Sequence, residues 1–397
     1  MKKDACALFS VAFLFAATLT AQQTATMNSQ IILSPKVVKT PVAEVRAYWM
    51  QERLESAKPM PIPEVEATSM NQAAVSSTGT IHFSPAHAPL ATLQDEASES
   101  NDRFPLNTGD DFEGEQAESV HADTGFSYEM PFNNYRAGSN TSLPYTAVGK
   151  LFFTVPSGAS VSAGKYVCSA SIINDGRGTY GLTLVTSRQC VWDYVKKVWY
   201  KNWVFYPGWN NGADSQLGSA WYPEIVGFTY DSTLKGGFDL AMMEMHDRSG
   251  SGCNGSGGHP IGYYTGWLGW AYGGSYTQRQ WNILGYPQAS PFEGNYLYND
   301  EAATGTVNPY GSTNVVEVGN PQTGGAAGGP WILGFDLNNN KVPSPGNNIA
   351  PGYLNMLNGV NSFKWSSPSH PESMNGTIFT QSNFYVLLTV MKSSTCN

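Results

Sequence analysis

Beyond residue 140 the chain alternates short apolar runs with clusters of glycine, asparagine, serine and proline. The run 148–155 predicts a strand that stops at the turn Pro156-Ser157-Gly158, and 166–173 and 181–186 predict the next two. Further strands are predicted at 199–206, 238–245, 281–284 and 384–390. No helical period of any length is read after residue 140, and no short internal repeat is present. Many short strands with turns between them indicate an all-β sandwich or barrel. Before residue 140 the pattern is different. Residues 43–57 place Val45, Trp49 and Leu54 near one helical face, and Lys58-Pro59 ends that spacing. The helix is either isolated and marginal or docked on the domain that follows. The rest of 22–140 is rich in Pro, Ala, Glu, Ser and Thr, lacks cysteine and cannot bury much apolar area, which predicts a largely disordered pro-segment.

The N-terminus changes the picture of where the chain works. Lys2-Lys3 precedes an apolar run from Ala5 to Ala17, and Leu19-Thr20-Ala21 precedes Gln22, the layout of a secretory signal peptide over 1–21. The run is too short for a membrane span, and no later one has span length. Cys6 leaves with the signal. Cys168, Cys190, Cys253 and Cys396 remain, an even number for an oxidising, extracellular compartment, with three pairings open. The chain has 397 residues and only 13% of them are charged, with a net charge of −9. An acidic chain without a Lys/Arg run argues against nucleic acid.

Several local patterns carry little chemistry. Residues 250–255 match Gly-x-Gly-x-x-Gly, but no helix follows, so no phosphate cradle is predicted. His246, Asp247, Cys253 and His259 do not have zinc spacing, and no metal or cofactor is expected. Asn140, Asn254 and Asn375 open Asn-x-Ser/Thr triplets, which only a eukaryotic secretory host would use. The aromatic set Trp192, Tyr194, Trp199, Tyr200, Trp203, Phe205, Tyr206 and Trp209 reads as barrel packing rather than a sugar platform.

The stretch Gly324-Gly325-Ala326-Ala327-Gly328-Gly329-Pro330-Trp331 is more specific. Together with 166–173, 184–191 and Phe238-Asp239-Leu240-Ala241-Met242-Met243, it resembles the trypsin-like serine proteases of the chymotrypsin fold, in their secreted glutamyl-endopeptidase-like branch. Tyr48-Trp49-Met50-Gln51-Glu52-Arg53 resembles that family's pro-segment. The resemblance spans roughly 143–388 and implies two six-stranded β-barrels with the site between them, in a protease domain over 141–397. It also implies a Cys168–Cys190 disulfide, a loop closure that stabilises by about 3 kcal/mol in the chain-entropy model. Cys253 and Cys396 pair on parity alone.

Carried over by the resemblance, the triad positions are Gln189, Asp239 and Ala327. Only the aspartate matches. An amide cannot take a proton from a hydroxyl near neutral pH, and alanine has no nucleophile. Thr323 lies too far along the loop to replace a serine, and His246 follows the strand, on a loop away from the base position. The backbone N–H groups of Gly325 and Ala327 are the implied oxyanion donors and do not need the serine. A Gln189–Asp239 hydrogen bond is expected to satisfy the buried carboxylate. Glutamate specificity does not carry over, because 358–363 contains no histidine. The reading is a secreted, inactive protease homologue that holds a peptide or protein in its cleft. An active endopeptidase with another site and a structural or decoy surface protein are the alternatives.

Overall fold

Leu151-Phe152-Phe153 is apolar at consecutive positions because both faces of its strand are covered. Leu151 and Phe153 point into a barrel core, while Phe152 packs with Val45, Trp49 and Leu54 on the outer face. The structure, a computed structural model, describes residues 30–34, 40–66, 80–89, 130–138, 141–176, 181–214, 217, 220–230, 237–248, 258–337, 354–366 and 372–394. The expected signal peptide over 1–21, Cys253, Cys396, Asn140, Asn254 and the glycine pattern at 250–255 lie outside the described residues.

The first half of the chain supplies β1 (Gln30–Leu33), α1 (Val42–Tyr48), α2 (Gln51–Glu55), β2 (Lys58–Pro59), β3 (Glu64–Val65), β4 (His82–Ser84), β5 (Phe132–Arg136), β6 (Val148–Val155), β7 (Gly164–Ile173) and β8 (Thr183–Thr186). Then come β9 (Trp192–Asp193), β10 (Val198–Trp199), β11 (Lys201–Pro207), β12 (Pro223–Tyr230), β13 (Ala241–Met245), α3 (Ile261–Thr265) and β14 (Gly269–Tyr272). The last are β15 (Gln280–Gly285), β16 (Tyr298–Ala303), β17 (Thr306–Val307), β18 (Val315–Gly319), β19 (Pro330–Leu333), β20 (Met356–Trp365), β21 (Ser373–Ile378) and α4 (Val386–Ser394).

The first large sheet runs β1-β12-β13-β8-β7-β6-β11, and a bridge between Phe205 on β11 and Trp221, just ahead of β12, curls it closed. The second runs β17-β18-β21-β20-β19-β15-β16-β5 and curls until β16 meets β18. The strands therefore form the all-β, two-barrel architecture that the resemblance implies. Most of the aromatic set packs as expected: Trp192, Tyr200, Trp203, Phe205 and Tyr206 are buried in the first barrel and its outer cover. Among the described residues, no helix is long and apolar enough to cross a membrane.

Three expectations need correction. The helix over 43–57 is two short helices that break at Trp49-Met50, and it docks: Val45, Trp49 and Leu54 are buried on the first barrel. The strand expected at 384–390 is helix α4, entered through a π-helical turn at Gln381–Tyr385. Thr380 and Asn383 cap that turn reciprocally, and Phe384, Leu387, Leu388 and Met391 are buried at helical spacing. A short apolar run does not by itself separate strand from helix. Asn375 is fully buried in β21, so its triplet is no glycosylation acceptor on the folded chain.

Lys150 on β6 is buried, and its ammonium donates to the Gly294 carbonyl at 2.9 Å. Burial lowers its pKa to about 7. A lysine whose folded pKa is depressed costs stability while it must stay protonated, so stability rises with pH above about 7 and levels off near the ordinary lysine value. Lys364, lowered to about 8 by burial, adds to the same trend. Denaturant titrations at pH 7.5 and 9 are expected to show the chain gaining stability, with Lys150 contributing on the order of 1–2 kcal/mol. Lys150→Met removes that share; an unchanged slope in the variant would mean that Lys150 is not the group responsible.

Candidate active-site cleft

Asp239 sits just before β13, where the first barrel faces the second. Its carboxylate accepts from the Gln189 backbone N–H at 3.0 Å, from Gln189 Nε2 at 3.3 Å and from Ser362 Oγ at 2.7 Å. Burial pushes the Asp239 carboxyl above the usual carboxylate range. The Arg188 guanidinium, the Ser362 hydroxyl and the N–H groups of Gln189 and Arg188 pull it partly back. Gln189 occupies a single turn, Arg188–Cys190, directly after β8. The disulfide between Cys168 and Cys190, with Cα atoms 6.2 Å apart, ties that turn to β7. Gln189 Nε2 also donates to the Ser362 carbonyl at 2.6 Å, so one amide bridges the aspartate and β20.

The loop carrying Ala327 lies between β18 and β19. Ser169 on β7 anchors it from below: its N–H donates to the Ala327 carbonyl at 2.9 Å and its hydroxyl to the Gly325 carbonyl at 3.0 Å. Asn361 holds the loop from the other barrel. Its Nδ2 donates to the Ala326 carbonyl at 3.1 Å and to Gln322 Oε1 at 3.3 Å, while its Oδ1 accepts from Trp331 Nε1 at 2.8 Å. Ala327 is fully buried. The Thr323 hydroxyl is committed to the Ala289 carbonyl at 2.6 Å. His246 stands apart, with Nε2 2.9 Å from Glu224 Oε2.

The cleft already contains a chain. The Gly325 N–H donates to the Met60 carbonyl at 3.0 Å, so one of the two backbone donors expected to be open has a partner. The Met60 N–H donates to the Val167 carbonyl at 2.9 Å, and the Lys364 and Ser366 N–H groups donate to Pro63 and Val65 carbonyls at 2.9 Å each. Beside this chain lies a cavity of about 570 Å³. Met60, Pro61, Gln189, Asp239, Trp192 and Phe363 line it, among others, and Ala327 does not. Sequence reasoning paired Gln189 with Asp239, and the two do meet. It missed Ser362 and Met60. Ser362 is an unremarkable hydroxyl within a strand, and the Met60 contact spans hundreds of residues, so neither leaves a local signal.

No family model and no curated protein matches the chain. Among solved structures it is similar to AL20, a thermostable serine protease from an extremophilic microorganism, at 22% identity over 63% of this chain and 98% of that one, with a TM-score of 0.48. Protease Anisep from Arthrobacter nicotinovorans is 24% identical over 64% of this chain and 99% of its own, with a TM-score of 0.46. A Glu endopeptidase in complex with MPD is 14% identical over 66% and 97%, with a TM-score of 0.42.

Proposed function

We propose that this chain is a chymotrypsin-fold serine protease homologue that has lost catalysis and retains a cleft for an extended peptide. The observation that carries the reading is the Asp239 site. The carboxylate is held by Gln189 and Ser362 as an orienting aspartate would be, but the group it orients is an amide. A neutral amide has no basic nitrogen, and Ala327 offers a methyl group, so neither proton abstraction nor nucleophilic attack has an agent. Removing the base and the nucleophile leaves only roughly 10³–10⁴-fold over water from binding and backbone donors. The cleft's ability to pair main-chain groups with an extended segment supports the binding half of the reading. The Cys168–Cys190 disulfide is in keeping with an oxidising, extracellular setting.

The test is direct. The purified chain is incubated with a mixed peptide pool and the pool is read by mass spectrometry. Every peptide is expected to remain intact over a day. Reproducible cleavage, lost on Asp239→Ala, would instead establish an active endopeptidase working through this site.

A further inference from the structure

The path of residues 58–66 is set by two open strand edges. β8 pairs with β7 only at Ser171–Ile173, so the part of β7 around Tyr166 and Val167 is unpaired on that side. There β2 adds, Lys58 opposite Tyr166 and Pro59 opposite Val167. On the second barrel, β20 outruns its pairing with β21, and β3 adds at the free end, Glu64 opposite Lys364 and Val65 opposite Trp365. Both additions are parallel. Between them the chain crosses from one barrel to the other, and the Met60 carbonyl meets the Gly325 N–H on the way. Met60 is buried in the large core cluster that runs from the first barrel into the second, and Ile62 packs against that cluster and against a further cluster within the second barrel.

The composition of this stretch suits the task. Pro59, Pro61 and Pro63 alternate with Met60, Ile62 and Glu64. Each proline presets its own φ and biases the residue before it to an extended conformation, so little conformational freedom is lost on docking. The prolines lack N–H groups, and the segment offers the cleft the Met60 N–H and the carbonyls of Met60, Pro63 and Val65, which are the groups the walls use. Its N-terminal side is tethered by α1, α2 and the break between them, where Val45, Trp49 and Leu54 are buried on the barrel. Tethering makes the contact intramolecular and raises its effective concentration far above that of a free peptide.

We infer that Met60–Val65 is the resident ligand of the cleft: an intramolecular peptide, parallel to both walls, that excludes any other extended chain until it is displaced. This rests on the peptide-binding reading of the cleft and adds its regulation. A foreign peptide needs the Val167 carbonyl and the Gly325 and Lys364 N–H groups, and the segment holds all three. The apparent affinity for that peptide is therefore scaled down by the small fraction of molecules with the segment out.

The full chain and its Met60→Asp/Ile62→Asp variant decide the matter, with Met60→Gly/Ile62→Gly as a second variant that buries no charge. The probe is a fluorescein-labelled synthetic peptide of residues 57–66, read by anisotropy, and NMR follows amide exchange at Gly325 and Lys364. Expected are binding at least ten-fold tighter to either variant than to the natural chain, and exchange at both amides at least ten-fold faster in the variants. Equal binding to natural and variant chains, no binding of this peptide to a folded variant, or unprotected amides in the natural chain would each overturn the inference. Unrelated peptides from the mixed pool form a separate arm. If the segment peptide binds the variant and the unrelated ones do not, the resident ligand stands and the foreign-peptide function falls.

Discussion

A Gln189→His/Ala327→Ser double variant, made in the segment-weakened Met60→Asp/Ile62→Asp background, is expected to cut peptides that the natural chain leaves whole. In the proposed reading the frame for catalysis is in place. Ser362 and the N–H of Gln189 hold the Asp239 carboxylate, and a ring nitrogen replacing Gln189 Nε2 would inherit its hydrogen bond to Asp239 Oδ2. That bond fixes the tautomer and leaves the other ring nitrogen to accept a proton. Ser169 and Asn361 hold the loop that would carry the new serine. The gain should be about 10³-fold or more over the natural chain. Either single change should recover almost none of it, because base and nucleophile act as a unit. The rate should rise with pH through the imidazole range, near 6.5, because only the neutral ring is a base. Without the two segment substitutions the same pair should be slower, since the Met60 carbonyl occupies the Gly325 N–H. Initial rates on the peptide pool, across pH and in all four combinations of the Gln189 and Ala327 changes, provide the measurement. A double variant that binds the segment peptide yet cuts nothing at any pH would mean that Gln189 and Ala327 do not occupy the base and nucleophile positions.

Local pattern made some of this legible and hid the rest. The run predicted at 148–155 is β6, because a strand covered on both faces needs apolar residues at nearly every position. The Gln189–Asp239 contact was legible only through the protease resemblance, whose triad positions fall on these two residues, and the disulfide holds the Gln189 turn against β7. Helix α4 was hidden because its apolar residues are dense enough to satisfy a strand as well as a helix, and the Thr380–Asn383 cap that decides between them leaves only a weak mark in sequence. The segment at 58–66 was the least visible. Lys58-Pro59 read only as the end of the helical spacing, and the segment's partners on β7 and β20 lie roughly a hundred and three hundred residues away. Whether such a stretch becomes a strand depends on unpaired edges that exist only after both barrels have formed.

The Gly-Gly-Pro sequence suggests an active loop, yet packing is enough to account for its first glycine, Gly328, and two alanine substitutions four residues apart separate the roles. Gly328 has φ of 80°, and a Cβ there would lie 2.1 Å from Thr186 Oγ1, 2.5 Å from the Ser169 carbonyl and 2.7 Å from the Ser187 nitrogen. Two of these atoms are backbone of the first barrel. The third, Thr186 Oγ1, is itself bonded to the Ser169 carbonyl at 2.8 Å, so it has no easy retreat. Gly328→Ala must therefore distort the backbone where β7, β8 and the loop meet, and a loss of about 4 kcal/mol or more is expected. Gly324 is different. A Cβ there would meet the Met60 carbonyl at 3.1 Å, Pro59 Cβ at 3.3 Å and Pro61 Cα at 3.6 Å, all on the docked segment. Gly324→Ala should press on the segment and spare the barrels, leaving stability within about 1 kcal/mol while Gly325 amide exchange accelerates. Denaturant titration of both variants, with exchange measured on Gly324→Ala, reads the contrast. A Gly328→Ala chain as stable as the natural one would remove the packing explanation and leave the motif's retention to be explained by a ligand or by chemistry.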